Sequence, residues 1–183
     1  MVKPMSDIFL IGPKHSGKTA AGKALVQLCP CDFIDIDELI LQGTGKSPRQ
    51  LFSEGQAIFQ KAEAEAVTAL AANAGEKQRV IAAGGGIIDN AEAVIILKKF
   101  DAVKVYLDIS AESAWNRIAA GGELPPFLQT ENPKETHRAL HERRAAAYLQ
   151  FADIVIEAEG KTPDETAGEI LNRVTRHASH STQ

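Results

Sequence analysis

The chain has 183 residues, of which 44% are hydrophobic, and it carries a formal net charge of −4 with a pI near 5.7. That length fits one domain with a sizeable core, and the acidic balance excludes a broad nucleic-acid or anionic-membrane surface, leaving positive charge to act locally. No apolar stretch reaches membrane-spanning length and the first strand begins too early for a signal peptide, so a cytoplasmic protein, taken as a monomer, is expected.

The first predicted strand, residues 8–11, runs into Gly12-Pro13-Lys14-His15-Ser16-Gly17-Lys18-Thr19, and a predicted helix over 18–28 follows. This octapeptide satisfies G-x-x-x-x-G-K-[ST] in the strand, loop and helix context that the pattern requires. A glycine-bearing turn lets successive backbone N–H groups point inward, and the helix adds the positive end of its dipole. Gly12, Pro13, Lys14, His15, Ser16 and Gly17 form the cradle, Lys18 reaches the β- and γ-phosphates, and the Thr19 hydroxyl helps to coordinate magnesium. ATP and Mg2+ are the cofactors expected. A strand-to-helix turn that binds nothing is the other reading of these residues. Cys29 and Cys31, the only cysteines, are too close in sequence for an ordinary bridge and lack further zinc ligands, so reduced packing residues are expected.

The second strand, 33–36, carries Asp35 and Asp37 at its end. Alternation on a strand puts both carboxylates on one side, where one holds magnesium, directly or through water, and the other meets an acceptor hydroxyl. Two helix-capping acids ahead of Glu38 are the alternative. A helix over 56–74 precedes the third strand, 80–83, which runs into Gly84, Gly85 and Gly86. Bare backbone there permits close approach of a small substrate or of the γ-phosphate, although a flexible turn fits the same residues.

Helices over 90–99, 111–118, 133–151 and 163–177 are interleaved with strands over 103–107 and 154–156, and the last helix opens on the capping box Thr162-Pro163-Asp164-Glu165. The alternation, with strands apolar almost throughout, predicts a three-layer α/β sandwich around a five-stranded parallel sheet. His137 and His141 fall one helical turn apart without a third ligand and are expected on a solvated face. Glu63 and Glu65 are expected to pair at the surface with Lys61 or other neighbours, or Glu63 to orient an arginine on the substrate side. Trp115 and Phe127 are expected to pack, and the polar tail after His177 to fray.

In this order the motifs resemble the shikimate kinase family, small P-loop kinases related in fold to the nucleoside monophosphate kinases, over about residues 7–160. The resemblance rests on the P-loop, Asp35-Ile36-Asp37, Gly45-Lys46-Ser47 followed by Leu51-Phe52, Gly55 with Phe59, and the triple glycine. It implies ATP-dependent phosphorylation of a hydroxyl on a small anionic cyclic polyol, shikimate to shikimate 3-phosphate. It implies one P-loop kinase domain over 1–183, with an acceptor-binding region at about 37–75 and a lid at about 119–132. By the same resemblance Asp35 helps to hold magnesium, and Asp37 contacts the acceptor hydroxyls and assists deprotonation. Gly84, Gly85 and Gly86 line the acceptor site, Arg144 binds the acceptor carboxylate, and Arg117 packs against adenine.

The chain departs from the family pattern at several positions. Gln60 follows Phe59 where the family places a carboxylate-gripping arginine, and charge-assisted bonds are about twice as strong as neutral ones. The lid segment from Ala119 to Leu128 lacks the arginine that meets the transferring phosphate, and His15 replaces a glycine. Lys14 and His15 are candidate substitutes by location, with a solvated loop residue the alternative for His15. The helix at Gln56 begins one residue sooner after Phe52 than in the family, so a shifted acceptor-binding region is expected. A paralogue kinase for another small alcohol and a non-catalytic nucleotide-binding protein are the other readings of the whole.

Overall fold

The computed structural model describes residues 6–73, 77–121 and 124–180. Ala74, at the end of a predicted helix, Gly122 and Glu123 of the predicted lid, and residues 181–183 of the polar tail lie outside the described residues. Five strands, β1 (Asp7–Ile11), β2 (Asp32–Asp35), β3 (Arg79–Ala82), β4 (Ala102–Asp108) and β5 (Ile154–Glu157), form one sheet in the order β2-β3-β1-β4-β5. Every pairing is parallel. The helices are α1 (Lys18–Leu25), α2 (Ile36–Thr44), α3 (Pro48–Glu54), α4 (Gln56–Ala72), α5 (Ala91–Lys99), α6 (Ala111–Ala120), α7 (Pro133–Phe151) and α8 (Pro163–His180).

The strands are apolar on both faces because helices cover both. Ile8, Leu10, Val105 and Ile156 pack with Leu25 of α1 and Ile170 and Val174 of α8. On the other face Phe9, Ile11, Ile81 and Tyr106 pack with Ile40, Val67, Leu97 and Tyr148 from α2, α4, α5 and α7. This is the predicted three-layer α/β sandwich, and the five predicted strands fall on the observed ones. The segment between β2 and α4 adds α2 and α3 to the helices read from sequence. Gly45, at φ 71°, closes α2, and Ser47, Pro48 and Gln50 form a capping box that opens α3. Helix α8 continues to His180, so the described part of the expected frayed tail is helical.

Two expectations are corrected by local folding. The turn after α1 brings Cys29 and Cys31 to a Cα separation of 5.6 Å, and the structure pairs them as a disulfide rather than leaving them reduced. Sequence proximity does not prevent this, because the Cys31 N–H turns back to the Cys29 carbonyl at 2.8 Å and folds the chain into bridging range. His137 and His141 are only 6% and 8% exposed, not on a solvated face. Helix α7 lays them against α6, with the His137 ring 5.7 Å from that of Trp115, and burial lowers the pKa of both.

At the end of the sheet away from the P-loop, Asp7 and Arg79 tie the starts of β1 and β3. Asp7 accepts from Arg79 Nε at 2.9 Å, from Nη2 at 2.5 Å and from its backbone N–H at 2.7 Å. Arg79 Nη1 also donates to the Asn73 and Leu70 carbonyls. The two side chains are 9% and 12% exposed, so removing one strands the other without compensation. Such a break costs about 3–5 kcal/mol, whereas an exposed pair such as Lys61–Glu65 is worth well under about 1 kcal/mol. Arg79→Met is therefore expected to lower the urea unfolding free energy by about 3 kcal/mol. Lys61→Gln is expected to leave it nearly unchanged.

Candidate active site

The P-loop conformation depends on its glycines. Gly12 sits at φ 145°, where a Cβ would lie 2.6 Å from the Leu107 carbonyl oxygen, and Gly17 adopts φ 93° at the start of α1. The Ser16 N–H closes the loop onto the Pro13 carbonyl at 3.2 Å. Lys18 is buried, and its ammonium donates to the Gly12 and Pro13 carbonyls at 2.9 and 2.7 Å. Burial lowers its pKa to about 8, while Asp37 and Asp35 pull it upward. His15, at φ 62°, is exposed, as its solvated-loop alternative has it, and its carbonyl accepts from Arg117 Nη1 at 2.7 Å.

Asp35 and Asp37 line the same cleft as Lys14, Lys18 and Gly84, a space of about 470 Å³. They do not reach it by alternation on one strand. The Asp35 side chain accepts from the Asp37 N–H at 3.0 Å, which caps α2, ends β2 and places Asp37 in the first helical turn. The capping alternative therefore holds for Asp35, which also accepts from the Thr19 hydroxyl at 2.9 Å. Burial raises the Asp37 pKa, with Asp35 adding to it and Lys18 and Lys14 opposing.

Thr19 and Asp35 offer two hard oxygen donors beside the phosphate cradle. That set fits Mg2+, which keeps several waters and completes its shell with substrate phosphate oxygens. Among the described residues no group of three His, Cys, Asp or Glu side chains could hold a metal ion, and this type of site needs none.

The triple glycine packs tightly rather than forming a loose turn. A Cβ on Gly85 would lie 2.8 Å from the Lys14 backbone nitrogen. One on Gly84 would lie 3.3 Å from Asp37 Oδ1 and 3.6 Å from Glu63 Oε1, and one on Gly86 3.5 Å from Arg144 Nη2. The segment thus touches the P-loop, the acids and the arginine in turn, and the Tyr148 hydroxyl donates to the Gly85 carbonyl.

Glu63 is fully buried, which corrects the expectation of a surface pair; Glu65 does lie 3.9 Å from Lys61. Glu63 Oε2 accepts from Asn90 Nδ2 at 2.9 Å, and its Oε1 has no partner among the described residues. Burial raises its pKa to about 7, against the Asn90 hydrogen bond. Gln60 donates weakly to the Asp89 carbonyl at 3.4 Å, and its own carbonyl accepts from Asn90 at 2.8 Å. Arg144 bonds the Asp89 carboxylate through Nε at 2.8 Å and Nη2 at 2.7 Å, and its guanidinium lies 5.9 Å from the centre of the Phe127 ring. Burial pushes the Asp89 carboxyl up, but the bonds from Arg143 and Arg144 outweigh it and hold it below the usual carboxylate range.

The structure thus brings together the P-loop, Asp35, Asp37, Gly84, Gly85 and Arg117 around one cleft, whereas Gly86, Gln60 and Arg144 do not line it and Arg144 Nη2 lies instead against Gly86. Sequence reading missed Asp89, Arg143, Asn90 and Tyr148. Asp89-Asn90 reads as an ordinary turn and cap, and only the long-range fold reveals its partners.

The shikimate kinase family model matches residues 14–175. The chain is 35% identical to the shikimate kinase of Thermodesulfovibrio yellowstonii over 179 residues, 97% of this chain and the whole of that protein. Among solved structures, shikimate kinase from Acinetobacter baumannii in complex with shikimate superposes with a TM-score of 0.84 at 30% identity, covering 94% of each chain. Shikimate kinase from Aquifex aeolicus gives a TM-score of 0.78 at 32% identity, covering 94% of this chain and 98% of that one. No helix among the described residues is long and apolar enough to cross a membrane.

Glu63 provides a pH test of this geometry. Its folded pKa, about 7, lies above the ordinary 4.5, so between these values the folded state keeps a proton that the unfolded chain has released. The stabilising contribution is complete below about 4.5 and is lost as pH rises through about 7. Glu63→Gln removes that slope. By pH 8 the variant is expected to have gained up to about 3 kcal/mol on the wild type relative to pH 4, measured by urea unfolding. A difference independent of pH would contradict the assignment.

Proposed function

The chain belongs to the shikimate kinase family, and from that premise we propose that it transfers the γ-phosphoryl group of ATP to a hydroxyl of shikimate, giving shikimate 3-phosphate. One observation carries this reading: the cleft lined by the phosphate cradle, Asp37, Gly84 and Gly85 is followed in the chain by Gly86, which abuts a partly buried arginine. That order of groups suits a small acceptor with a hydroxyl at one end and a carboxylate at the other.

Phosphoryl transfer leaves little covalent work for protein groups, so rate comes from positioning and charge neutralisation. Backbone N–H groups between Lys14 and Thr19 take phosphate oxygens. Lys18 turns from the loop carbonyls onto the β- and γ-phosphates. Thr19 and Asp35 hold Mg2+, which when bound draws negative charge off the phosphates. Asp37 accepts a hydrogen bond from the acceptor hydroxyl and aligns its oxygen with the γ-phosphorus. Its raised pKa suits a group that takes the hydroxyl proton as the new O–P bond forms and the bond to ADP breaks. Gly84, Gly85 and Gly86 let the acceptor lie against bare backbone, Arg144 takes its carboxylate, and Gln60 contributes an uncharged amide. Arg117, bonded to the P-loop at His15, is placed to pack on adenine. In this proposal one kinase domain spans 1–183, the acceptor region at about 37–75 comprises nearly all of α2 and the whole of α3 and α4, and the lid at about 119–132 closes to exclude water. A cytoplasmic monomer acting on a small molecule is part of the same proposal.

ADP release from ATP and Mg2+ is expected to depend strongly on added shikimate. Lys18→Ala is expected to cut that rate by about a thousandfold or more while the circular dichroism spectrum stays that of the wild type. Arg144→Ala, which removes a charged hydrogen-bonding group, is expected to raise the KM for shikimate by about tenfold or more. ATP binding without any stimulation by shikimate would overturn the proposal, and turnover of another small alcohol instead would point to a paralogue.

A further inference from the structure

At the acceptor end of the cleft the protein already carries a carboxylate of its own. Asp89 ends the short 3-10 turn Ile87–Asp89 that follows the triple glycine. One of its oxygens receives Arg144 Nε and Nη2 at 2.8 and 2.7 Å, while Arg143 spans both oxygens at 2.7 and 3.0 Å. The Arg144 and Asp89 side chains are 18% and 20% exposed, so their attraction is screened less than at an open surface. The same Arg144 Nη2 borders the space over Gly86. Its guanidinium is therefore shared between an internal anion and the acceptor wall.

The local charges sharpen the point. Arg143 and Arg144 are the cations bonded here, Asp89 cancels one of them, and Gln60 adds none. Glu63 faces the same region from α4, within electrostatic reach of Arg144 and Asp89. An incoming carboxylate finds its arginine already paired.

Resting on the shikimate kinase reading, we propose that Asp89 is a latch on the acceptor site: it holds Arg144 until the acceptor carboxylate takes its place, and so sets affinity and selectivity for anionic acceptors. Release does not strand Asp89. Arg143, whose side chain is 59% exposed, continues to neutralise it through its own two bonds. A carboxylate acceptor replaces the Asp89 bonds to Arg144 with equivalent ones, whereas a neutral acceptor offers nothing in exchange. A ligand shifts such an equilibrium only by its preference for the open state. If Arg144 is free for about one-tenth of the time, the apparent affinity for the acceptor is about tenfold weaker than that of the open site.

The sign of one substitution separates a latch from a residue that merely orients Arg144. Steady-state kinetics of the full chain are measured for wild type, Asp89→Asn and Asp89→Ala, with shikimate and with its neutral methyl ester. A latch predicts that the KM for shikimate falls by about three- to tenfold in both variants, with kcat and the KM for ATP moving by less than about twofold. The KM for methyl shikimate is expected to stay put. A KM for shikimate that is unchanged or raised would overturn the latch, as would an equal fall for the methyl ester. Loss of folding in both variants would also overturn it, because it would make Asp89 a structural requirement. If wild type does not turn over shikimate at all, the functional reading fails and the latch with it; normal wild-type turnover with an unmoved KM in the variants defeats the latch alone.

Discussion

The parallel pairing of β1 with β3 is the constraint on which the rest of the site depends. Their register sets Ile8, Phe9 and Leu10 beside Val80, Ile81 and Ala82, and the Ala83 N–H extends the ladder to the Leu10 carbonyl at 3.1 Å. The P-loop leaves β1 and the triple glycine leaves β3 at the same sheet edge, so the two segments emerge touching. Gly85 and the Lys14 backbone approach too closely for any side chain to come between them. Strand order reverses around β1, with β3 on one side and β4 on the other, which opens the crevice where doubly wound sheets take ligands. Phosphate cradle and acceptor wall are therefore parts of one surface.

Charge along that surface is graded. Buried Lys18 stands at the phosphate end, the Arg143–Arg144 pair at the other, and Asp35, Asp37 and Glu63 lie between. Burial raises the pKa of both Asp37 and Glu63.

What could be read from the sequence followed how local each feature is. The P-loop, the triple glycine and the apolar strands are encoded within a few consecutive residues, and they appear where their patterns place them. Asp35 and Asp37 do line the cleft, but by a different route: a side-chain bond from Asp35 to the Asp37 N–H ends the strand, which residue alternation cannot foresee. The burial of Glu63 escaped because its neighbours on α4 are largely alanines, which blur the difference between buried and exposed faces. His137 and His141 sit on a helix rich in lysine, glutamate and arginine, where polarity masks the buried side. Asp89 is invisible to any local pattern, since its arginine partners lie more than fifty positions away.

The central claim, that one cleft holds the transferring phosphate and the acceptor in line, is tested most directly by a crystal structure with ADP, Mg2+ and shikimate bound. The account predicts a shikimate hydroxyl within hydrogen-bonding distance of Asp37, the ring against Gly84 to Gly86 and the carboxylate on Arg144. Shikimate bound elsewhere, or with its carboxylate turned towards the P-loop and its hydroxyls towards Arg144, would contradict it.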